Sequence, residues 1–211
     1  MSQQAIGFYW TLPVPWAGFA VLPEDVDEAA EASRTIRYQR DAVRYYAKQN
    51  GFQLVTEKVF LEIAPDRGSD LILGPLSKVE KLCREQAAVL LFVDFAEVQG
   101  WRSHAPMTEW SRQSGIEVVP IFPNEMLIEG KVFDPSAHFQ KWRARQYEWS
   151  AGKPARRARA LSRAMELRAK GLSNPEIAAA LNSENVPSVT GKVWTGETVR
   201  KLGPEAEKEQ S

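Results

Sequence analysis

Two periods of hydrophobic recurrence divide the first 150 residues into alternating elements. Ala5–Leu12 is a short apolar and aromatic run that predicts a strand, closed by proline and glycine at positions 13, 15 and 18. From Glu24 to Asn50 the period lengthens to that of a helix, with Ala32, Ile36, Val43 and Ala47 on one side and Gly51 as the stop. Phe52–Phe60 predicts a second strand, and Pro75–Glu85 a helix with Leu76, Val79 and Leu82 in phase. Ala87–Val93 is a continuous apolar run of the kind buried on both faces of a parallel sheet, and Asp94 follows it at the carboxyl end. His104–Ser114 predicts another helix and Ile116–Ile121 a fourth strand. Strands alternating with helices over residues 1–135 predict an α/β domain with a largely parallel sheet. Pro135 and Ser136 then introduce Ala137–Ser150, a connecting helix that carries Phe139, Trp142, Arg143 and Tyr147.

The segment Leu161–Leu202 predicts three more helices with defined starts. Leu161, Met165 and Leu167–Arg168 are in helical phase and stop at Gly171, where a left-handed cap costs least. Ser173 and Glu176 form a capping box for the next helix, with Pro175 tolerated in its first turn and Ile177, Ala178 and Leu181 as its apolar face. After Asn185 the chain leaves through Pro187 and Gly191, and Thr195 is placed to cap a final helix containing Thr198, Val199, Arg200 and Leu202. Trp194 precedes that cap and can staple onto Val199. With Val199 and Leu202 turned inward, Glu197, Thr198, Arg200 and Lys201 are left outward on a helix suited to a major groove. The pattern is that of a helix-turn-helix DNA-binding unit. The same residues would also suit a small helical bundle whose charges are merely solvated.

Charge separates these readings. The whole chain is neutral, with 27 basic and 27 acidic residues, but residues 1–140 sum to −6, residues 141–202 to +8 and residues 203–211 to −2. A basic third on an acidic two-thirds suits a DNA-binding module joined to a separate domain. Just before the first helix of the module, Gly152, Lys153, Pro154, Arg156, Arg157 and Arg159 predict an extended basic arm for a narrow minor groove. A solvated linker is the alternative. The candidate DNA contacts are therefore Lys153, Arg156, Arg157, Arg159, Ser173, Lys192, Thr195, Glu197, Thr198, Arg200 and Lys201.

Composition narrows the rest. Hydrophobic residues at 44% suffice for a core, and no apolar run approaches bilayer length, so a soluble, cytoplasmic protein without membrane contact is expected. The single cysteine, Cys83, excludes an internal disulfide and sits in phase with Val79 and Leu82, which predicts burial. His104 and His138 are too few and too isolated for a metal cluster and read as surface or boundary residues; no metal or cofactor is expected. The domains predicted are residues 1–135 (α/β), 136–152 (connecting helix), 153–202 (basic arm and helix-turn-helix) and 203–211 (disordered tail).

Three stretches carry a resemblance to a known family. Ser33–Val55 (SRTIRYQRDAVRYYAKQNGFQLV), Val89–Asp94 (VLLFVD) and Ala169–Leu202, with its glycine, serine, IA-x-x-LN run and G-x-x-W, together resemble the serine recombinases of the resolvase and invertase type. The resemblance implies a resolvase-like α/β domain, a serine after the first strand that attacks a DNA phosphodiester, and arginines around the phosphate. The chain departs from that pattern at the site itself. Laid on the family's first strand, Leu12 stands where the serine belongs and Trp10 where an arginine belongs, while after the third strand Asp94 is kept and Phe95 and Val98 replace two arginines. Losing the nucleophile removes the covalent route, and each lost charge donor costs on the order of a hundredfold in rate. The expectation is a recombinase-like DNA-binding regulator or accessory factor without strand exchange, a homodimer or higher homo-oligomer, with an acidic domain that can meet a protein partner. Two alternatives stand beside it. One is an active recombinase with a displaced nucleophile at Thr11, helped by Arg102; the other is a ligand sensor with a pocket near Leu12 and Asp94. Trp10, Trp16 and Phe19 are candidates for an apolar patch at the former active-site mouth.

Overall fold

The computed structural model describes residues 2–63, 68–96 and 104–202. In chain order the elements are β1 (Gln3–Thr11), α1 (Val26–Ala32), α2 (Arg34–Gln49), β2 (Phe52–Leu61), α3 (Leu73–Gln86), β3 (Val89–Val93), α4 (Ala105–Gln113), β4 (Val118–Ile121), β5 (Met126–Ile128), β6 (Lys131–Phe133), α5 (Pro135–Ala151), α6 (Lys153–Ala169), α7 (Asn174–Ser183) and α8 (Gly196–Arg200). They gather into two compact units, one made of Met1–Pro13 and Val21–Trp142, the other of Val14–Ala20 and Arg143–Ser211.

The first unit is an α/β domain. Its sheet has the order β2-β1-β3-β4 with every pairing parallel. Alternate side chains of the central strands enter two cores, as the pleat requires. Tyr9, Val89, Leu91 and Val93 face α1, α2 and the start of α5, while Ile6, Phe8 and Leu90 face α3 and α4. Cys83 is buried in the second of these cores, and burial, then the Glu80 charge, pushes its thiol up to about 11.

The helix expected over Glu24–Asn50 is two helices. Asp25 caps α1 by accepting from the Asp27 and Glu28 N–H groups, and Ser33 takes an extended conformation between α1 and α2. There its hydroxyl accepts from the Ile36 N–H at 3.4 Å and lies 3.1 Å from the Thr11 hydroxyl at the end of β1. A continuous helix would have kept Ser33 from both roles. The β5–β6 hairpin was also unforeseen. Its turn holds Glu129 and Gly130 at φ of 51° and 72°, a tight reversal that Glu-Gly signals more weakly than Asn-Gly.

In the second unit α6, α7 and α8 share one core formed by Ala160, Ala164, Leu167, Ile177, Ala178, Leu181, Val186, Trp194, Val199 and Leu202. Met165, expected on the apolar side of α6, is exposed; Ala160 and Ala164 occupy that side, since small side chains let the neighbouring helices approach. Gly171 ends α6 at φ 86°. The segment Val14–Ala20 belongs to this unit: Pro15–Ala17 forms a short 3-10 turn closed by a bridge between Val14 and Phe19. Among the described residues no helix is long and apolar enough to cross a membrane. The expected tail over 203–211 lies outside the described residues.

Candidate nucleic-acid interface and sheet crevice

Local hydrogen bonding fixes the end of the second unit. Asn182 on α7 clamps the Trp194 backbone from both sides: its Nδ2 donates to the Trp194 carbonyl at 2.9 Å and its Oδ1 accepts from the Trp194 N–H at 2.8 Å. The Trp194 indole donates to the Val186 carbonyl at 2.8 Å and packs in the same buried cluster as Val199. Thr195 then caps α8, its hydroxyl accepting from the Thr198 N–H at 3.2 Å while the Thr198 hydroxyl accepts from the Thr195 N–H at 2.8 Å. Val199 and Leu202 are buried, and Glu197, Thr198, Arg200 and Lys201 face outward as expected.

The candidate residues divide by what already occupies them. Thr195 and Thr198 are committed to the cap, and the Ser173 hydroxyl and N–H both donate to the Glu176 carboxylate, at 2.6 and 2.8 Å. Glu197 lies between Arg200 (2.8 Å) and Lys201 (3.3 Å), and these hydrogen bonds hold its carboxyl down at about 2. Those two cations therefore reach a phosphate only in competition with Glu197. Lys153, Arg159 and Lys192 are exposed, and Arg157 is half-buried.

The basic arm takes a different form from the one expected. Lys153–Arg159 is not extended but makes the first two turns of α6. Arg156 is half-buried, its guanidinium carbon 3.5 Å from the centre of the Trp149 ring on α5, so its charge is held on an aromatic face instead of reaching outward. Pro154 hid this from the sequence, although proline is at home in a first helical turn. The tight turn of the unit, Lys170–Ser173, joins α6 to α7, whereas a longer connection leads to α8, which is five residues long and thus shorter than the expected groove helix.

In the first unit the positions that depart from the recombinase pattern form packing. Trp10, Leu12 and Phe95 are all buried. The Phe95 ring meets Trp10 edge-on at 5.9 Å and Phe139 at 4.9 Å, while Tyr38 stacks on Phe133 at 4.8 Å. Gln39, fully buried on α2, donates to the Trp10 carbonyl at 2.6 Å and accepts from its N–H at 3.1 Å, completing the backbone of β1 beyond its pairing with β3. The Thr11 hydroxyl is buried against Ser33. Val98 and Arg102 lie outside the described residues. Trp10 is core of this unit, whereas Trp16 and Phe19 belong to the other unit and are half-buried there.

No local pattern marks the buried pair beside Trp10, because its members lie 42 residues apart. His104, expected at the surface or boundary, has a side chain only 5% exposed, and its Nε2 lies 2.7 Å from Oε2 of Glu62, which is fully buried. The Met107 N–H donates to His104 Nδ1 at 3.4 Å, which leaves the proton on Nε2 to donate to Glu62. Glu62 also accepts from the Ile63 and Ser69 N–H groups. His138 is half-buried with Nε2 3.1 Å from the Thr35 hydroxyl; burial first, then the charges of Arg34 and Lys141, hold its imidazole below the ordinary histidine range. Among the described residues no group of three His, Cys, Asp or Glu side chains is arranged to hold a metal ion.

Fold and site together define an α/β domain with an open four-stranded parallel sheet, followed in the chain by a capped three-helix unit of opposite charge. No family model, curated protein or solved structure matches the chain.

Proposed function

We propose that the protein binds double-stranded DNA through its second unit, as a serine-recombinase-like factor that has given up strand transfer and acts in regulation or as an accessory. The observation that carries this reading is α8. Val199 on its inner face and Leu202 in the turn after it are buried in the core, while Arg200 and Lys201 face solvent with Lys192 on the approach, in a segment of net charge +8. Exposed cations on a rigid, capped frame are what phosphate contacts need. Lys153 and Arg159 at the start of α6 extend the basic surface. A resolvase-like ancestry for the α/β domain, and homodimerisation that presents two modules to paired half-sites, complete the proposal.

The aromatic packing of Trp10 and Phe95 weighs against the active-recombinase alternative. So does the Thr11 hydroxyl, which is 4% exposed and held by Ser33 on the α2 side of β1. An attacking oxygen needs access to phosphorus and a neighbouring base. The test is a gel shift of the full chain at salt from 50 to 200 mM. Salt-sensitive binding is expected, and neutralising Arg159 or Lys192 to glutamine should reduce the slope of log K against log salt by about 0.9 for each phosphate contact removed. Absence of salt-dependent binding sinks the proposal.

A further inference from the structure

A cavity of about 400 Å³ lies between α4 and strands β3 and β4, reaching from Ile116 and Val118 to Trp10 and Asp94 at the carboxyl ends of β1 and β3. Its place follows from topology. The chain leaves β1 for α1 and α2 on one face of the sheet and leaves β3 for α4 on the other, so the two connections diverge between neighbouring strands. Such a switch point is where open parallel sheets hold ligands. The volume falls within the range of small-molecule sites, well above the roughly 150 Å³ that accommodates a benzene ring.

The lining specifies the ligand's chemistry. Trp10, Phe92, Met107 and Ile116 supply flat and apolar wall. His104 also lines the cavity, but both ring nitrogens are already bonded, to the Met107 N–H and to Glu62, so it contributes a fixed surface and no free hydrogen-bonding atom. Asp94 differs. Its Oδ1 accepts from the Ala96 N–H at 2.9 Å, which turns the carboxylate in place, and Asp94 is a carboxylate in the lining of the cavity. An anionic ligand would meet that carboxylate inside a segment of net charge −6, whereas an ammonium would complete it.

We propose that this crevice is a binding site for a small planar aromatic amine, the ring lying among Trp10, Phe92 and Met107 and the ammonium on Asp94. The site belongs to the first unit alone and does not depend on DNA binding by the second.

Three probes with one ring system and different charge test it: tryptamine, indole and indole-3-acetate, each titrated into the full-length protein by calorimetry and by saturation-transfer NMR. Tryptamine is expected to bind saturably and about tenfold more tightly than indole, since a hydrogen bond to a charged group is worth that much, while indole-3-acetate does not bind. Asp94→Asn should bring tryptamine down to the affinity of indole and leave indole unchanged. Thr108→Trp, at a lining position on α4, should fill the space and remove both. The near-isosteric Asp94→Asn keeps the test decisive if the bulkier variant does not fold. The proposal is overturned if no probe binds saturably, if indole-3-acetate binds as well as tryptamine, or if Asp94→Asn leaves the tryptamine affinity unchanged.

Discussion

Replacing Asn182 with alanine removes the clamp on Trp194 and so tests whether α8 is held rigidly enough to present its cations. Two hydrogen bonds disappear, Asn182 Nδ2 to the Trp194 carbonyl and Trp194 N–H to Asn182 Oδ1, at 2.9 and 2.8 Å. Neutral bonds of this kind contribute about 0.5–1.5 kcal/mol each, and Trp194 is only 6% exposed, so water replaces the lost partners poorly. The loss should be about 1–3 kcal/mol, which for a unit of this size lowers the melting temperature by roughly 4–24 °C. Urea unfolding of the full chain, followed by tryptophan fluorescence and near-ultraviolet circular dichroism, measures it. DNA affinity should fall with the folded fraction of the second unit, while the salt slope stays unchanged because no cation was touched. A stability change below about 0.5 kcal/mol would refute the view that this clamp sets the approach to α8. Asn182→Asp keeps the acceptor and loses the donor, and should fall between the alanine variant and the parent.

Gly191 has φ 76°, and a Cβ there would overlap the Pro15 carbonyl within the same unit, so Gly191→Ala should destabilise the protein by about 1–2 kcal/mol for the backbone conformation alone, with the clash added; a melting curve equal to the parent's contradicts this contact. Because the imidazole of His138 is held below the ordinary histidine range, the fold favours its neutral form while the unfolded chain takes up a proton near pH 6.5. The resulting stability is fully present above about pH 6.5 and is lost as the pH falls toward the depressed folded value. Urea midpoints at pH 7.5 and 5.5 should therefore differ less in His138→Gln than in the parent, and equal differences would dismiss the assignment. Cys83, buried with its thiol pushed up to about 11, should resist a thiol reagent at pH 8 in the native protein and react at once in denaturant; rapid native labelling contradicts its burial.

Much of the candidate interface was legible because caps and turns are local. Ser173 with Glu176, Gly171, and Thr195 with Trp194 and Val199 each act over a few residues, and the structure places all of them as the spacing implied. The strands of the parallel sheet were legible for a related reason: Val89–Val93, apolar at every position, has no other stable place than between two layers of helices. The state of the basic residues was not legible. A run such as Lys153–Arg159 declares its charge but not whether the backbone is coiled, and the helix became visible only with the aromatic ring of Trp149 that receives Arg156.

What the sequence determined by itself is the set of periods, caps and charge blocks, since each follows from interactions within one or two helical turns or along one strand. Tertiary structure alone decided which distant groups meet. It placed Ser33 against Thr11 and so split a helix, buried His104 on Glu62, surrounded Trp10 with Phe95 and Phe139 through Phe95, and gave Val14–Ala20 to the second unit. Burial and partnership depend on which faces come together, and no single segment carries that information.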